Sequence, residues 1–527
     1  MTKLRWTLSG LVAVAFAMAM PAVSAAQGVT TGAISGTVTN DQHAGVEGAQ
    51  VQVVNRNTGF TSRVTTRTDG RYTVPGLEVG SGYSVTVRRI GLMPQTRDNI
   101  VVVLSQVTRV DFELVTQAAQ LEAVTVVANQ DPVMSPSHTG IKTTISDSAL
   151  RRLPTLNGNF TDFVALTPQV STTGPGLSGG GTNNRFNNIQ IDGSTESDLF
   201  GLGSTGQPGG QAGGKSIGLG AVKEYQVLLA PFDVRQGDFS GLLVNAVTKS
   251  GTNEWHGSMY GNTRNQGYTR TQPYITNYKQ SQGGFNIGGP LIQNKALFFM
   301  DAEWQSRTSP ATGPYVGSSL PGPNQATVDQ VNQALAAYGM PTGSGALVNN
   351  GNPLANVFGR LDFNLSHNTQ LVIRDNYGRA VQDIFSRTAS AFSLDNNGYH
   401  FTSKKNAAVA QLRTLFDNGS FNELLLNYET IRDRRNPSTL APQVTVYDGG
   451  YGIIDGAERS SQGNQLDQDL IELTDNYTIP VGAAHRVTVG ASGQWYKVRN
   501  LFAQNSYGAW TFGTLDSLNQ GLARQYL

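Results

Sequence analysis

Val357-Phe358-Gly359-Arg360-Leu361-Asp362-Phe363-Asn364-Leu365-Ser366 reads as an extended segment with two unlike faces. Its odd positions Val357, Gly359, Leu361, Phe363 and Leu365 are apolar or small, while the even positions include Arg360, Asp362, Asn364 and Ser366. Successive side chains of a strand point to opposite sides, so this alternation predicts one greasy and one polar face. Residues 296–305 repeat it: Ala296, Phe298, Met300, Ala302 and Trp304 stand opposite a set holding Asp301, Glu303 and Gln305. Segments 408–416 and 421–429 flank Asp417-Asn418-Gly419, a hairpin signal. Segments 471–479 and 486–498 flank a turn containing Pro480, with Val487, Val489, Ala491 and Trp495 on one face. Two architectures share this texture. A soluble sandwich buries the apolar face, whereas an outer-membrane barrel turns it to lipid and lines a wet lumen with the polar one. Periodicity does not choose between them. Trp304, Trp495, Tyr477 and Tyr496 suit an interfacial aromatic girdle as well as an ordinary core.

Composition narrows the classes. The 527 residues carry 38 Lys+Arg against 37 Asp+Glu, a formal net charge of +1, which argues against a sequence-independent nucleic-acid binder. Only 14% of residues are charged, 61 are Gly and none is Cys. Without Cys there are no thiolate metal sites, disulfides, thiol nucleophiles or lipid-carrying N-terminal Cys. Residues 1–26 have the parts of a secretory signal peptide. Lys3 and Arg5 precede a short apolar run at 11–20, then Pro21 and the small residues Ala22, Ser24, Ala25 and Ala26, with a cut after Ala25 or Ala26. Any membrane span in the mature chain must be built from strands, because no later stretch reaches 18 apolar residues.

Residues 31–115 predict a small two-sheet sandwich. Seven period-2 runs fall at 33–39, 49–54, 61–66, 71–74, 83–89, 99–104 and 108–115, with a Thr68-Asp69-Gly70 turn. After it come a β-branched extended segment, Glu122-Ala123-Val124-Thr125-Val126-Val127, and a short helix capped by Ser146 or Asp147 and stopped by Pro154. A second helical piece is predicted at 160–166. Between 171 and 220, 15 of 50 residues are Gly, a stretch that cannot fill a core of its own. Strands follow at 221–229 and 243–248.

Two resemblances attach to these residues. Ile34-Ser35-Gly36-Thr37-Val38-Thr39, Gly48-Ala49-Gln50-Val51, Thr68-Asp69-Gly70-Arg71-Tyr72 and Gly82-Tyr83-Ser84-Val85-Thr86-Val87 resemble the carboxypeptidase-regulatory-like domain, which implies a transthyretin-like, carbohydrate-binding-like sandwich. The order of segments resembles the Oar-like TonB-dependent outer-membrane receptors. The match is carried by Gln190-Ile191-Asp192-Gly193, Val222-Lys223-Glu224-Tyr225-Gln226-Val227, the string from Val247-Thr248-Lys249-Ser250-Gly251 to Trp255-His256-Gly257-Ser258, and Gly288-Gly289-Pro290-Leu291-Ile292-Gln293-Asn294-Lys295. That resemblance implies an all-β-dominated chain: a signal peptide at 1–26, the sandwich at 27–116, a mixed α/β plug at 117–253 and part of a transmembrane antiparallel β-barrel at 254–527. It further implies a TonB box at Glu122, Ala123, Val124, Thr125, Val126 and Val127, outer-membrane lipid around the wall and a TonB-like energy-transducing partner. The implied ligand is an oligosaccharide, peptide or iron chelate. The rival reading is a secreted or surface-exposed carbohydrate-binding adhesion protein. No cofactor is expected, and no nucleic acid.

Several motifs lack the context their chemistry needs. Gly209-Gly210-Gln211-Ala212-Gly213-Gly214-Lys215-Ser216 fits the P-loop pattern, but no strand precedes it and Gly218 and Gly220 disfavour a helix after it. Gly201–Gly206 spacing of a dinucleotide fingerprint, and the esterase-elbow patterns at 176–180 and 214–218, sit in the same glycine-rich stretch. None of His43, His138, His256, His367, His400 and His485 begins a zinc pair, so the reading is not an enzyme. Length adds one expectation. Residues 254–527 number 274, whereas a plugged transporter of ~22 strands needs roughly 300 at the least, so the chain is expected to hold about half a barrel.

Overall fold

A computed structural model of the chain describes residues 30–116 and 142–527, apart from 154, 156–157, 173–175, 201–202, 230, 232, 269–276 and 483–484. Both the expected signal peptide and the Val-rich segment 122–127 lie outside the described residues.

The largest element is a nine-stranded antiparallel meander. Its strands are His256–Asn265, Lys279–Ile292, Ala296–Pro310, Asn349–Asn364, Thr369–Ile384, Tyr399–Leu415, Phe421–Pro437, Asn464–Val481 and His485–Phe502. The alternation left open by the sequence now acquires a direction. Val357 is 39% exposed and Val489 61%, while Arg360 and Asp362 on the other face are 4% and 1% exposed. Leu426, Tyr428, Ile471 and Trp495 are likewise exposed, and Arg374, Asn376 and Glu429 buried. Apolar side chains face outward and polar ones line the concavity. That is the pattern of a barrel wall and the reverse of a sandwich. Glycine helps aromatics lie flat on the outer face: a Cβ on Gly283 would stand 2.7 Å from the Trp304 ring on the neighbouring strand.

The Asp417-Asn418-Gly419 hairpin is present, with Leu415 paired to Phe421 and Gly419 at φ 78°. Pro480 sits elsewhere than expected. It lies inside a strand, in register with Arg486, and the chain turns just after it around Gly482 at φ 57°.

The expected sandwich has eight strands, not seven, because the last run splits into Val107–Arg109 and Phe112–Leu114, both parallel to Gly32–Asn40. One sheet holds these with Arg71–Leu77; the other orders Thr61–Thr65, Gln50–Asn55, Gly80–Arg88 and Gln95–Val102. The Thr68-Asp69-Gly70 turn therefore crosses between sheets instead of joining paired neighbours. Ile34, Val51, Tyr72, Val74, Val85 and Phe112 fill the core.

The sandwich rests on the short-turn end of the wall. Asn368 accepts from the Arg63 amide at 2.9 Å, the Asn364 amide donates to the Thr58 carbonyl at 3.1 Å, and Leu415 and Phe421 enter the sandwich core.

A five-stranded sheet occupies the concavity, ordered Ser194–Thr195, Asn188–Ile191, Leu243–Thr248, Val222–Leu228, Lys142–Ser146. Helices Asp147–Arg152, with N-cap Ser146, and Thr161–Val164 flank it as the sequence suggested. Phe299 and Phe358 of the wall pack into its apolar core, so the two share one interior.

One element contradicts the expectation of strands alone from 254 onward. At the long-connection end, helices Gln325–Ala337 and Leu515–Asn519 pack on a second small sheet. Its strands run in the order Ala391–Ser393, Tyr451–Asp455, Gln443–Asp448, Ala509–Phe512, Gln525–Tyr526. Val328, Val331, Leu335, Phe392, Val446 and Ile453 form its core.

Candidate functional site

Gln190-Ile191-Asp192-Gly193 builds the centre of the site. Asp192 at φ 47° and Gly193 at φ 81° form a two-residue turn of the kind that suits hairpins, joining Asn188–Ile191 to Ser194–Thr195. Held there, the Asp192 carboxylate accepts from the Thr248 amide at 2.9 Å and from its hydroxyl at 2.7 Å. It therefore pins the hairpin to the central strand. Its other side faces the wall, 3.4 Å from the Arg374 guanidinium and 4.0 Å from that of Arg360.

Glu196, just past the hairpin and fully buried, receives Arg374 at 2.7 Å, the Asn376 amide at 2.7 Å and Lys405. Arg374 also donates to the Ile191 carbonyl and the Ser194 hydroxyl. Farther along the glycine-rich stretch Lys215 pairs with Glu303, which additionally accepts from Tyr260 at 2.7 Å and Gln282 at 3.1 Å. Glu472 accepts from the Thr195 amide at 2.9 Å. A third body joins through Glu78 of the sandwich, 2.9 Å from Arg360, which donates at 2.9 Å to the Thr248 hydroxyl and at 2.7 Å to Asp362.

These groups form one seam between the inner sheet and the wall. Burial opposes charge on Asp192, but Arg374, Arg360 and the Thr248 donors outweigh it and hold its carboxyl below the usual range. Burial likewise opposes charge on Glu78, and Arg360 and Lys223 overcome it, keeping that carboxyl low as well. Buried ion pairs add little net stability over apolar packing, yet breaking one costs ~3–5 kcal/mol. The seam therefore fixes where the inner sheet sits more than it strengthens the fold.

The pattern at 209–216 is a short 3₁₀ turn, Gly210–Ala212, with no strand before it and its Lys215 engaged by Glu303. Carbonyls of Ala212 and Lys215 accept from Asn352 and Asn356 of the wall at 2.8 and 3.1 Å, so the loop is a docking surface and not a phosphate cradle. Among the described residues, no group of three or more His, Cys, Asp or Glu could hold a metal ion. The TonB-box residues Glu122 to Val127 lie outside the described residues. Past them the chain enters Lys142–Ser146, which among the described residues is the outermost strand of the inner sheet and pairs only with Val222–Leu228.

Sequence reasoning singled out Gln190–Gly193 spacing but not its partners. Arg360 and Glu303 were visible only as members of polar faces, and Arg374, Lys405 and Glu196 carried no local signal at all.

Residues 247–526 match the family described as outer membrane beta barrel domain, and residues 33–115 the one described as carboxypeptidase regulatory-like domain. The TonB-dependent transporter Oar of Myxococcus xanthus is 26% identical over 257 residues, 45% of this chain and 23% of that protein. The probable TonB-dependent siderophore receptor PirA of Acinetobacter baumannii is 28% identical over 163 residues, 28% of this chain and 21% of that protein. The chain thus spans less than a quarter of the length of the curated relatives it matches. Solved structures with a similar course include the siderophore receptor PirA from Pseudomonas aeruginosa (13% identity, 68% of this chain, 48% of that one, TM-score 0.43). Another is the outer membrane transporter YddB from Escherichia coli (12% identity, 71% of this chain, 50% of that one, TM-score 0.48).

Proposed function

The chain belongs to the outer membrane beta barrel domain family, and from that premise we propose that it is a TonB-dependent receptor and transporter of the outer membrane. In this reading residues 1–26 are a signal peptide, 27–116 a periplasmic sandwich, 117–253 a plug and 254–527 barrel wall. Short turns mark the periplasmic side of such barrels and long connections the outside. The sandwich then faces the periplasm, and the small sheet with helix Gln325–Ala337 faces outward, where ligand arrives. A TonB-like protein pairs with residues 122–127 by strand addition and draws on the plug from within. The cargo is an iron chelate of the siderophore class, an oligosaccharide or a peptide.

The observation that carries this reading is the seam: a separate sheet sealed inside an inside-out wall by Asp192, Glu196, Arg374 and Lys405. A secreted adhesion module is disfavoured because the outward apolar face requires lipid. The test uses the absence of Cys. Val124→Cys in the full-length protein should form a disulfide with a Cys placed in the strand-pairing region of TonB, and deleting residues 121–128 should abolish energised uptake. Uptake that survives the deletion, with no cross-link at Val124→Cys, would refute the proposal.

A further inference from the structure

Toward the long-connection end, the outward face of five consecutive wall strands changes character. Cross-strand register lines up Arg379, Lys404, Arg432, Asp467 and Arg499 in one row. The rows on either side add Arg434 and the facing pair Asp469 and Lys497. Every one of these positions lies within five residues of the strand end that runs into a long connection. By the two-residue alternation they share the lipid side with Tyr428, Ile471 and Trp495. Toward the short turns, the outward positions of the same strands hold no Lys or Arg among the described residues. The cations belong to one end only.

Carboxylates satisfy only the middle of the patch. Arg434 meets Asp467 at 2.6 Å, and Arg432 meets Asp469. Asp375, two rows inward, is held by the Asn406 amide at 2.9 Å, and Asp383, two rows outward, by His400 at 2.6 Å. On one flank Arg379 and Lys404 pair with no carboxylate among the described residues, and on the other flank neither do Lys497 and Arg499. Arg379 and Lys404 stand side by side in register, while Lys497 and Arg499 are successive outward positions of one strand. Three strand spacings separate Lys404 from these last two, so the free charge forms two poles about 14 Å apart.

A cation on a lipid-facing strand is costly at mid-bilayer and tolerated at the level of the headgroups. The exposed rings of Tyr428 and Trp495, two rows inward, favour that same level. A surface open to lipid draws its missing counter-charge from the headgroups, and both the Arg fork and the Lys ammonium bind phosphate oxygens. We propose that this patch is a binding site for a lipid headgroup carrying a phosphate at each of its two ends, one phosphate to each pole. The site rests on the reading of the wall as a membrane barrel whose long connections face outside, which assigns the lipid to the outer leaflet. It depends neither on coupling to TonB nor on the cargo.

The experiment titrates the full-length protein in maltoside micelles with three lipids and reads the bound fraction by native mass spectrometry. Lipid A carries a phosphate at each end of a glucosamine disaccharide; its monophosphoryl form lacks one; cardiolipin holds two phosphates a single glycerol apart. Lipid A binding at least tenfold tighter than both others supports the proposal. So does a fall of that preference below threefold in each of two double variants, Arg379→Gln with Lys404→Gln and Lys497→Gln with Arg499→Gln, once heat-modifiable migration shows them folded. A preference below threefold in the unaltered protein overturns it, as does one that both double variants retain within twofold. Displacement of lipid A by millimolar inorganic phosphate at constant ionic strength also overturns it, by assigning the poles to a free anion. Because the readout involves no uptake, a missing lipid preference beside intact energised uptake strikes this site alone and leaves the transport reading standing.

Discussion

Replacing Arg374 by Met tests whether charge, and not shape, positions the inner sheet. Arg374 is 2% exposed, and the change removes its ion pairs with Glu196 at 2.7 Å and Asp192 at 3.4 Å, together with its bonds to Ile191 and Ser194. Each acid keeps something: Glu196 retains Lys405 and Asn376, and Asp192 retains Thr248 and a more distant Arg360. Stranding a buried charge costs ~3–5 kcal/mol, and the partners left in place put this case at the low end, ~3 kcal/mol. At ~1.4 kcal/mol per factor of ten, protection against hydrogen exchange at the Thr248 and Asn245 amides should fall about a hundredfold. Wall amides between 421–437 and 464–481, whose ladder does not involve Arg374, serve as the internal reference. Adding Asp192→Asn, the acid left with only the distant Arg360 while Glu196 keeps Lys405, removes the stranded charge and should restore part of the loss. Measured by mass spectrometry on the full chain in micelles, a single-variant loss below threefold would refute the argument. So would a double variant no better than the single one, which would assign Arg374 to packing.

Three further outcomes follow from other parts of the molecule. Glu78→Gln should loosen the sandwich from the wall; in this Cys-free chain the cross-linking yield between Arg63→Cys and Asn368→Cys should fall at least twofold, and an unchanged yield would deny Glu78 its anchoring role. Trp495→Arg, on the outward face, should lower the stability of the vesicle-inserted wall by ~2–4 kcal/mol if it lies at mid-bilayer and by ~0–1 near an interface, read from the urea midpoint; a stabilising effect would contradict a lipid-facing position. Asp455, buried in the outer module beside Asp395, has its carboxyl pushed up to about 6 by burial, so the folded module holds that proton more tightly than the unfolded chain does. Stability from this group is therefore greatest below about pH 4 and is lost as pH rises toward 6; the module should melt higher at pH 4.5 than at pH 7.5, and Asp455→Asn should flatten that difference by about 2 kcal/mol, because the unfolded carboxyl is already mostly ionised at pH 4.5.

What the sequence yielded divides by the range of the cause. Features with local causes were readable. The Asp417-Asn418-Gly419 turn needs a left-handed residue and has one in Gly419, and Ser146 precedes its helix. Gln325–Ala337 was also readable and was passed over: Asn324 caps it, accepting from the Thr327 amide at 2.9 Å, and Val328, Val331 and Leu335 recur at helical spacing. Reading on with a period of two hid a period of 3.6. The sense of the wall is another matter. Val357 and Arg360 show two faces but not which one looks inward, because that depends on a sheet placed there by residues 142–248. The pairing of Arg374 with Glu196 and of Lys405 with Glu196 spans 178 and 209 residues, beyond any window of local pattern. Yet the low share of charge, 14% of the chain, has its reason here. A soluble sandwich scatters charges over an outer surface where water screens each one. In this wall much of the outward face is apolar, so many charges fall on the concave side, where a lone one is expensive and an opposite charge is favoured. Arg374 and Lys405 with Glu196, and Lys215 with Glu303, are such matched sets, and their match is made only when the stretch holding Glu196 and Lys215, rich in glycine and unable to fold on a core of its own, is laid against the wall that supplies the other half.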